Sequence, residues 1–170
     1  MLTVKLSPTP IKVYEVIHAF DPGGTTGYAR IRVRNDTFAL TRIREFPNFQ
    51  WVETIINSMD PEKECIVCED FFARQYGACL IPVEVIGVIK FLAVKRGIKV
   101  FFQKPYIQNR KDGSTPVKGW YPIITKIGSH AESATAHGVH FAVEMVGRKL
   151  WPLTADIKKL KSNRAKMLYA

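Results

Sequence analysis

The sequence predicts an α/β fold: a mixed sheet, made of a three-stranded antiparallel meander plus parallel strands, flanked by helices. Three observations carry this. β-Branched and aromatic segments follow one another between residues 13 and 46, separated only by short turns. A strand, helix, strand unit then runs from Glu64 to Phe102, and such a crossover leaves its two strands parallel. The 170 residues are 46% hydrophobic and 24% charged, which suits one folded domain with a real core rather than a disordered chain.

The elements follow in order. Val13–Phe20 (VYEVIHAF) reads as a buried strand and runs into the turn Asp21-Pro22-Gly23-Gly24. Tyr28–Arg34 sets Tyr28, Ile31 and Val33 among Arg30, Arg32 and Arg34, a half-exposed strand. Phe38–Phe46 gives a third, with Leu40 and Ile43 as its apolar positions. Asn48–Met59 has helical spacing through Trp51, Ile55, Ile56 and Met59, and Asp60-Pro61 ends it. Glu64–Glu69 (ECIVCE) is a short apolar strand. Pro82–Arg96 is a helix with proline in its first turn and Gly97 as its stop, and Ile98–Phe102 is the next strand. Lys104–Gly128 is irregular and basic, a surface loop. Ser129–Val146 is a last long helix, entered through a Ser129–Glu132 capping box. The domain therefore spans residues 1–150, and residues 151–170 form a basic C-terminal tail.

Charge narrows the function classes. The formal net charge is +10. Two segments carry it: residues 90–126 hold nine basic groups against Asp112 alone, and residues 148–170 hold seven against Asp156 alone. Such localisation points to a polyanionic partner. No apolar run reaches the ~20 residues of a membrane span. The N-terminus lacks a basic-then-apolar signal layout and three cysteines make a poor disulfide framework, so a cytoplasmic protein is expected. Cys65 and Cys68 have zinc-ligand spacing, but on a strand residues i and i+3 face opposite sides, so buried cysteines are the expectation.

Two carboxylates stand where chemistry is easiest to build. Asp21 lies where a buried strand meets a glycine turn, rigid behind and open in front. Glu69 ends another apolar strand. If the two strands are neighbours, their oxygens converge, and hard oxygen ligands with room for water and phosphate suit Mg²⁺. The bland alternative is a turn-forming Asp and a surface Glu.

Three motifs then resemble a known family. Asp21-Pro22-Gly23-Gly24-Thr25-Thr26-Gly27-Tyr28 looks like the opening signature of the RuvC Holliday junction resolvases, which have an RNase H-like fold. Ile66-Val67-Cys68-Glu69-Asp70-Phe71-Phe72 is similar to that family's second acidic strand, and His130-Ala131-Glu132-Ser133-Ala134-Thr135-Ala136-His137 to its last helix, notably in phage-type members. The motifs come in family order and cover about residues 13–145. The first also resembles the phosphate loop of actin-like ATPases, but those enzymes close two such lobes around a nucleotide.

The resemblance implies a metal-dependent endonuclease that nicks four-way DNA junctions, usually as a homodimer, using Mg²⁺ with Mn²⁺ as a substitute. It implies Asp21 and Glu69 as catalytic metal ligands and matches Phe72 to an aromatic that enters the junction, where a core aromatic is the alternative. In the family, the last helix supplies two polar groups spaced i, i+3; here they are His130 and Ser133. Ser133 departs from the pattern, because a hydroxyl cannot replace a carboxylate's charge. His130 is the favoured third group, as ligand or proton shuttle. Glu132, about 100° round the helix from Ser133, is a second source. His137 is a further imidazole, otherwise expected, like His140, on the helix surface. The last option is a weakened site in a noncatalytic junction binder.

Lys104, Arg110, Lys111, Lys118 and Lys126, interleaved with Tyr106, Trp120 and Tyr121, are candidate DNA contacts: cations for phosphates and rings for exposed bases. A solvated loop is their alternative, and a solubilising end is that of the tail. Flaps, replication forks and RNA–DNA hybrids are other substrates compatible with the same site. A bacterial cytosol or a phage-infected cell is the expected setting.

Overall fold

The structure is a computed structural model that describes residues 14–34, 37–71, 80–104 and 130–146. Eight elements appear in the predicted order: β1 (Val16–Asp21), β2 (Thr25–Arg34), β3 (Thr37–Pro47), α1 (Val52–Asn57), β4 (Glu64–Glu69), α2 (Ile81–Arg96), β5 (Lys99–Gln103) and α3 (His130–Val146). The strands form one five-stranded sheet in the order β3-β2-β1-β4-β5. β1, β2 and β3 are the antiparallel meander, and β4 and β5 extend it as parallel strands.

Alternation along the strands divides the core in two. Ile17, Ala19, Ala29, Ile31, Cys65 and Val67 point to the α3 face, where they meet Ala134, Val139 and Ala142. Phe20, Tyr28, Ile66 and Cys68 point the other way, against Val52 and Ile56 of α1 and Val85 and Ile89 of α2. Each fully buried aliphatic side chain contributes about 1.5–3 kcal/mol relative to exposure. Cys65 and Cys68 fall on opposite faces and are fully buried, as strand periodicity requires. Burial raises both thiols.

Three details differ from the sequence reading. Tyr28 shares the face of Arg30, not that of Ile31 and Val33, because positions three apart on a strand oppose each other. Leu40 belongs to the α3 core and Ile43 packs against it, although they also lie three apart. A β-bulge reconciles them: Arg30 pairs with Arg42 and Ile31 with Leu40, leaving Thr41 as the extra residue. Thr41 Oγ1 donates to the Arg30 carbonyl at 3.0 Å. Finally, α1 begins at Val52, and Trp51 is half exposed at its N-cap rather than in the apolar stripe. A turn over residues 48–50 precedes it, with Asn48 at φ 45° and its N–H bonded to the Gly24 carbonyl. By contrast α2 keeps proline in its first turn and closes on Gly97 at φ 68°.

Phe72, residues 105–129 and the tail 151–170 lie outside the described residues.

Candidate active site

Three neighbouring strands end in polar residues on one face. Asp21 closes β1, Glu69 closes β4 and Gln103 closes β5, with Glu69 and Gln103 in register. Each lies an even number of residues from an α3-facing side chain: Asp21 from Ala19, Glu69 from Val67, Gln103 from Phe101. The same alternation that builds the core thus brings the two predicted carboxylates to the α3 side.

α3 supplies their partners from one helical stripe. His130 Nδ1 lies 2.8 Å from Asp21 Oδ2. Ser133 Oγ donates to Glu69 Oε2 at 3.1 Å, and His137 Nε2 donates to the same oxygen at 2.9 Å. Positions 130, 133 and 137 are spaced i, i+3, i+7, which places them in line. His137 is fully buried, and its Nδ1 meets Oε1 of Gln103 at 2.8 Å. The expectation of a surface His137 is corrected: α3 lies close against β1 and β2, so its fourth turn-neighbour of Ser133 faces the sheet. His140 is half-buried.

Close packing at the start of α3 has two causes that lie far from it in sequence. A Cβ on Gly27 would overlap the carbonyl of His130, so this position of the first motif must stay glycine for the helix to seat. Beside Gly27 in the β2–β3 register stands Glu45, whose Oε1 accepts from the Ala131 N–H at 3.0 Å. Glu45 thereby caps the helix from another strand, and a carboxylate at that end also suits the helix dipole.

The two carboxylates differ electrostatically. Burial pushes Asp21 up, the charge of Glu69 pushes it further, and hydrogen bonds from His130 and Ser133 only partly oppose this, leaving it at about 6. Burial also pushes Glu69 up, but the hydrogen bond and charge of His137, with hydrogen bonds from Asp21 and Ser133, hold it below the usual range. The pair behaves as like charges sharing one proton. A cation relieves that repulsion.

The donor chemistry fits a hard divalent ion. Mg²⁺ takes one or two protein carboxylates and completes its shell with water and phosphate. Asp21 and Glu69 could supply that share, with His130, half exposed, beside Asp21. Among the described residues, no set of three or more His, Cys, Asp and Glu side chains stands ready as a metal cage. Glu132 is buried, while the hydrogen bonds to the carboxylates come from His130, Ser133 and His137. Lys104 is exposed one residue beyond Gln103; Arg110, Lys111, Lys118 and Lys126 lie outside the described residues.

The same architecture occurs in solved structures. Thermus thermophilus RuvC is 17% identical, with 76% of this chain and 95% of that one covered and a TM-score of 0.54. T. thermophilus RuvC in complex with a Holliday junction substrate is 15% identical over 79% and 97%, at 0.56. The fold is RuvC-like. Fowlpox virus resolvase, in complex with its substrate Holliday junction DNA, is 16% identical over 78% of this chain and 99% of that one, at 0.51. No protein-family model and no curated protein matches the sequence. At these identities the likeness is one of fold, and the RuvC-like sheet is what places Asp21 and Glu69 side by side.

Sequence reasoning missed Gln103 and Glu45. Gln103 carried a signal, since it ends an apolar strand as Asp21 and Glu69 do. Glu45 carried none, because its partner is 86 residues away.

Proposed function

We propose that this protein is a metal-dependent endonuclease that resolves four-way DNA junctions by hydrolytic nicking. The observation that carries the reading is the Asp21–Glu69 pair: a buried and a half-buried carboxylate at adjacent strand ends, the first still holding a proton near pH 6. Such a pair is poorly stable alone and well matched to Mg²⁺ or Mn²⁺. The ion would supply Lewis-acid stabilisation of the scissile phosphodiester and its leaving 3′ oxygen. Asp21 and Glu69 would hold it, with His130 the favoured third group. Ser133 and His137 fix the Glu69 carboxylate, and Gln103 fixes the His137 ring. The 47% exposure of the His130 side chain supports a role in moving a proton to or from solvent. Glu132 is kept as the alternative carboxylate source.

The partner in this reading is branched DNA. Lys104, Arg110, Lys111, Lys118 and Lys126 would grip its backbones and Phe72 would enter the junction, in DNA recombination and repair within the cytoplasm of a bacterium or an infected host. No helix among the described residues is long and apolar enough to cross a membrane. A homodimer is supported by α2, whose outer side exposes Val83, Phe91 and Val94. Phe91→Glu should then leave a monomer in sedimentation; an unchanged dimer would remove α2 as the interface.

A noncatalytic junction binder is the second reading, and Ser133 favours it: a hydroxyl stands where the family resemblance implies a carboxylate. A side-by-side assay separates the possibilities. Four-way junctions, flaps, forks and RNA–DNA hybrids are incubated with the protein in Mg²⁺ or Mn²⁺. Preferential paired nicking of the junction is expected. Tight junction binding without nicking would select the binder, and preferential cutting of another substrate would reassign the nuclease.

A further inference from the structure

The side of the sheet away from Asp21 also carries α1, which ends at Asn57. There β2 and β3 present Arg30, Arg32, Arg34, Arg42 and Arg44. Arg30, Arg32 and Arg34 alternate with Ala29, Ile31 and Val33 of the α3 core, and Arg42 and Arg44 flank the α3-facing Ile43. All five are exposed except the half-buried Arg30. Counted by sequence segment, this charge is hidden, because residues 1–69 hold more acidic than basic groups. Folding segregates it onto one surface.

Arg30 and Arg42 are direct cross-strand partners. Like charges in that relation destabilise a sheet. The bulge at Thr41 keeps them there, since it moves Leu40 to the core while Arg42 stays beside Arg30. Next to them opens a cavity of about 350 Å³, lined by His18, Tyr28, Arg30, Arg42, Ser58 and Glu64. Its floor is fixed: His18 Nδ1 meets the Tyr28 hydroxyl at 2.9 Å, and His18 Nε2 meets Glu64 Oε2 at 2.9 Å. Glu64 Oε1 also lies 3.7 Å from Arg30, which anchors that guanidinium at the cavity. The result is a preformed polar hollow with two guanidiniums at its rim and three more along the strands.

The geometry points to a second nucleic-acid surface: the arginine face of β2 and β3, centred on the Arg30–Arg42 cavity, binds the phosphate backbone of a duplex DNA arm. It rests on the DNA-binding reading above and concerns the opposite side of the sheet from the carboxylates. Alternate residues of a strand stand about 7 Å apart, so long side chains there can meet successive phosphates. Guanidinium forks match phosphate oxygens, and five arginines without a lysine is the composition for that contact. The cavity between the arginines is mainly polar, with Ile55 its one aliphatic lining residue, which disfavours a lipid surface, where basic and apolar groups are mixed.

The test uses the full chain and the triple variant Arg32→Gln/Arg42→Gln/Arg44→Gln, with a labelled four-way junction carrying short or long arms. For long arms, a loss of affinity of about tenfold or more is expected, and the salt dependence should flatten by about 2.7 in slope for three lost contacts. The cleavage rate at saturating protein should stay as in the parent, and the matching triple lysine variant should recover most of the binding. If glutamine lowers the melting temperature, Arg44→Gln alone should still weaken long-arm binding. Unchanged affinity and slope in a parent that binds and cuts the junction would overturn this inference alone. Loss of binding to phosphatidylserine vesicles without loss of DNA binding would do the same. A parent that binds no DNA would overturn both this and the nuclease reading.

Discussion

His137 and Glu69 share a 2.9 Å hydrogen bond in which the imidazole is wholly buried and the carboxylate stands at the edge of the candidate metal site. Gln103 closes the other side of the ring. This contact orients the carboxylate before any ion or substrate arrives. His137→Leu should therefore destabilise the fold by about 1–3 kcal/mol, since it strips a half-buried carboxylate of its main partner. The pH dependence gives a sharper readout. Glu69 is held low, so its contribution is present above the ordinary Glu range and is lost as pH falls through its folded value. In the variant that acid-side loss should vanish from a urea-denaturation series; its persistence would remove His137 as the cause.

Asp21 has the opposite sign. Its folded value is raised to about 6 from 3.8, so the folded state holds the extra proton between those values and stability falls as pH rises through that window. Asp21→Asn should be more stable than the parent by roughly 2–3 kcal/mol at pH 7 in chelator, and equal to it below about pH 4. Divalent ions should raise the melting temperature of the parent and not of the variant. A destabilised Asn variant at pH 7 would contradict the electrostatic account.

Ser133→Asp adds a third carboxylate where a hydroxyl now donates to Glu69. Without metal, this should cost about 1–3 kcal/mol through repulsion and a lost donor. With Mg²⁺ the cost should shrink, and calorimetry should show tighter ion binding than in the parent. Equal ion affinity would mean that position 133 does not face the ion.

Gly27 and Glu45 seat the first turn of α3 from β2 and β3. Gly27→Ala should cost about 1–3 kcal/mol or more by overpacking. Glu45→Ala should cost about 0.5–2 kcal/mol, as for a lost helix cap. Because the same turn carries His130, both variants should lower the cleavage rate more than they weaken DNA binding. A proportionate fall in binding would indicate general unfolding instead.

The sequence made the sheet legible because its strands are apolar and end abruptly in polar residues: Asp21 before a glycine turn and Glu69 after ECIVC both announce a strand end. The i, i+3 pair His130 and Ser133 was legible through the resemblance of the last-helix motif, which matches both positions. His137 was misplaced because burial of a helix face depends on what packs against it, here β1 and β2. The bulge at Thr41 was invisible, since it shows only when Arg30 pairs with Arg42 and Ile31 with Leu40. The arginine face stayed hidden as a whole because its residues come from two strands of a segment, residues 1–69, that holds more acidic than basic groups.

The central claim is that Asp21 and Glu69 form the metal-dependent cutting centre, and cleavage of a four-way junction by the parent, Asp21→Asn and Glu69→Gln tests it most directly. Reactions are run with Mg²⁺, Mn²⁺ or chelator, and junction binding is measured in parallel. The account predicts paired nicks by the parent only with a divalent ion, and a fall of about 10²-fold or more in both variants, roughly 2.7 kcal/mol of lost transition-state stabilisation, with binding retained. Nicking that survives either substitution, or a folded parent that binds the junction and cuts nothing with either ion, would contradict it.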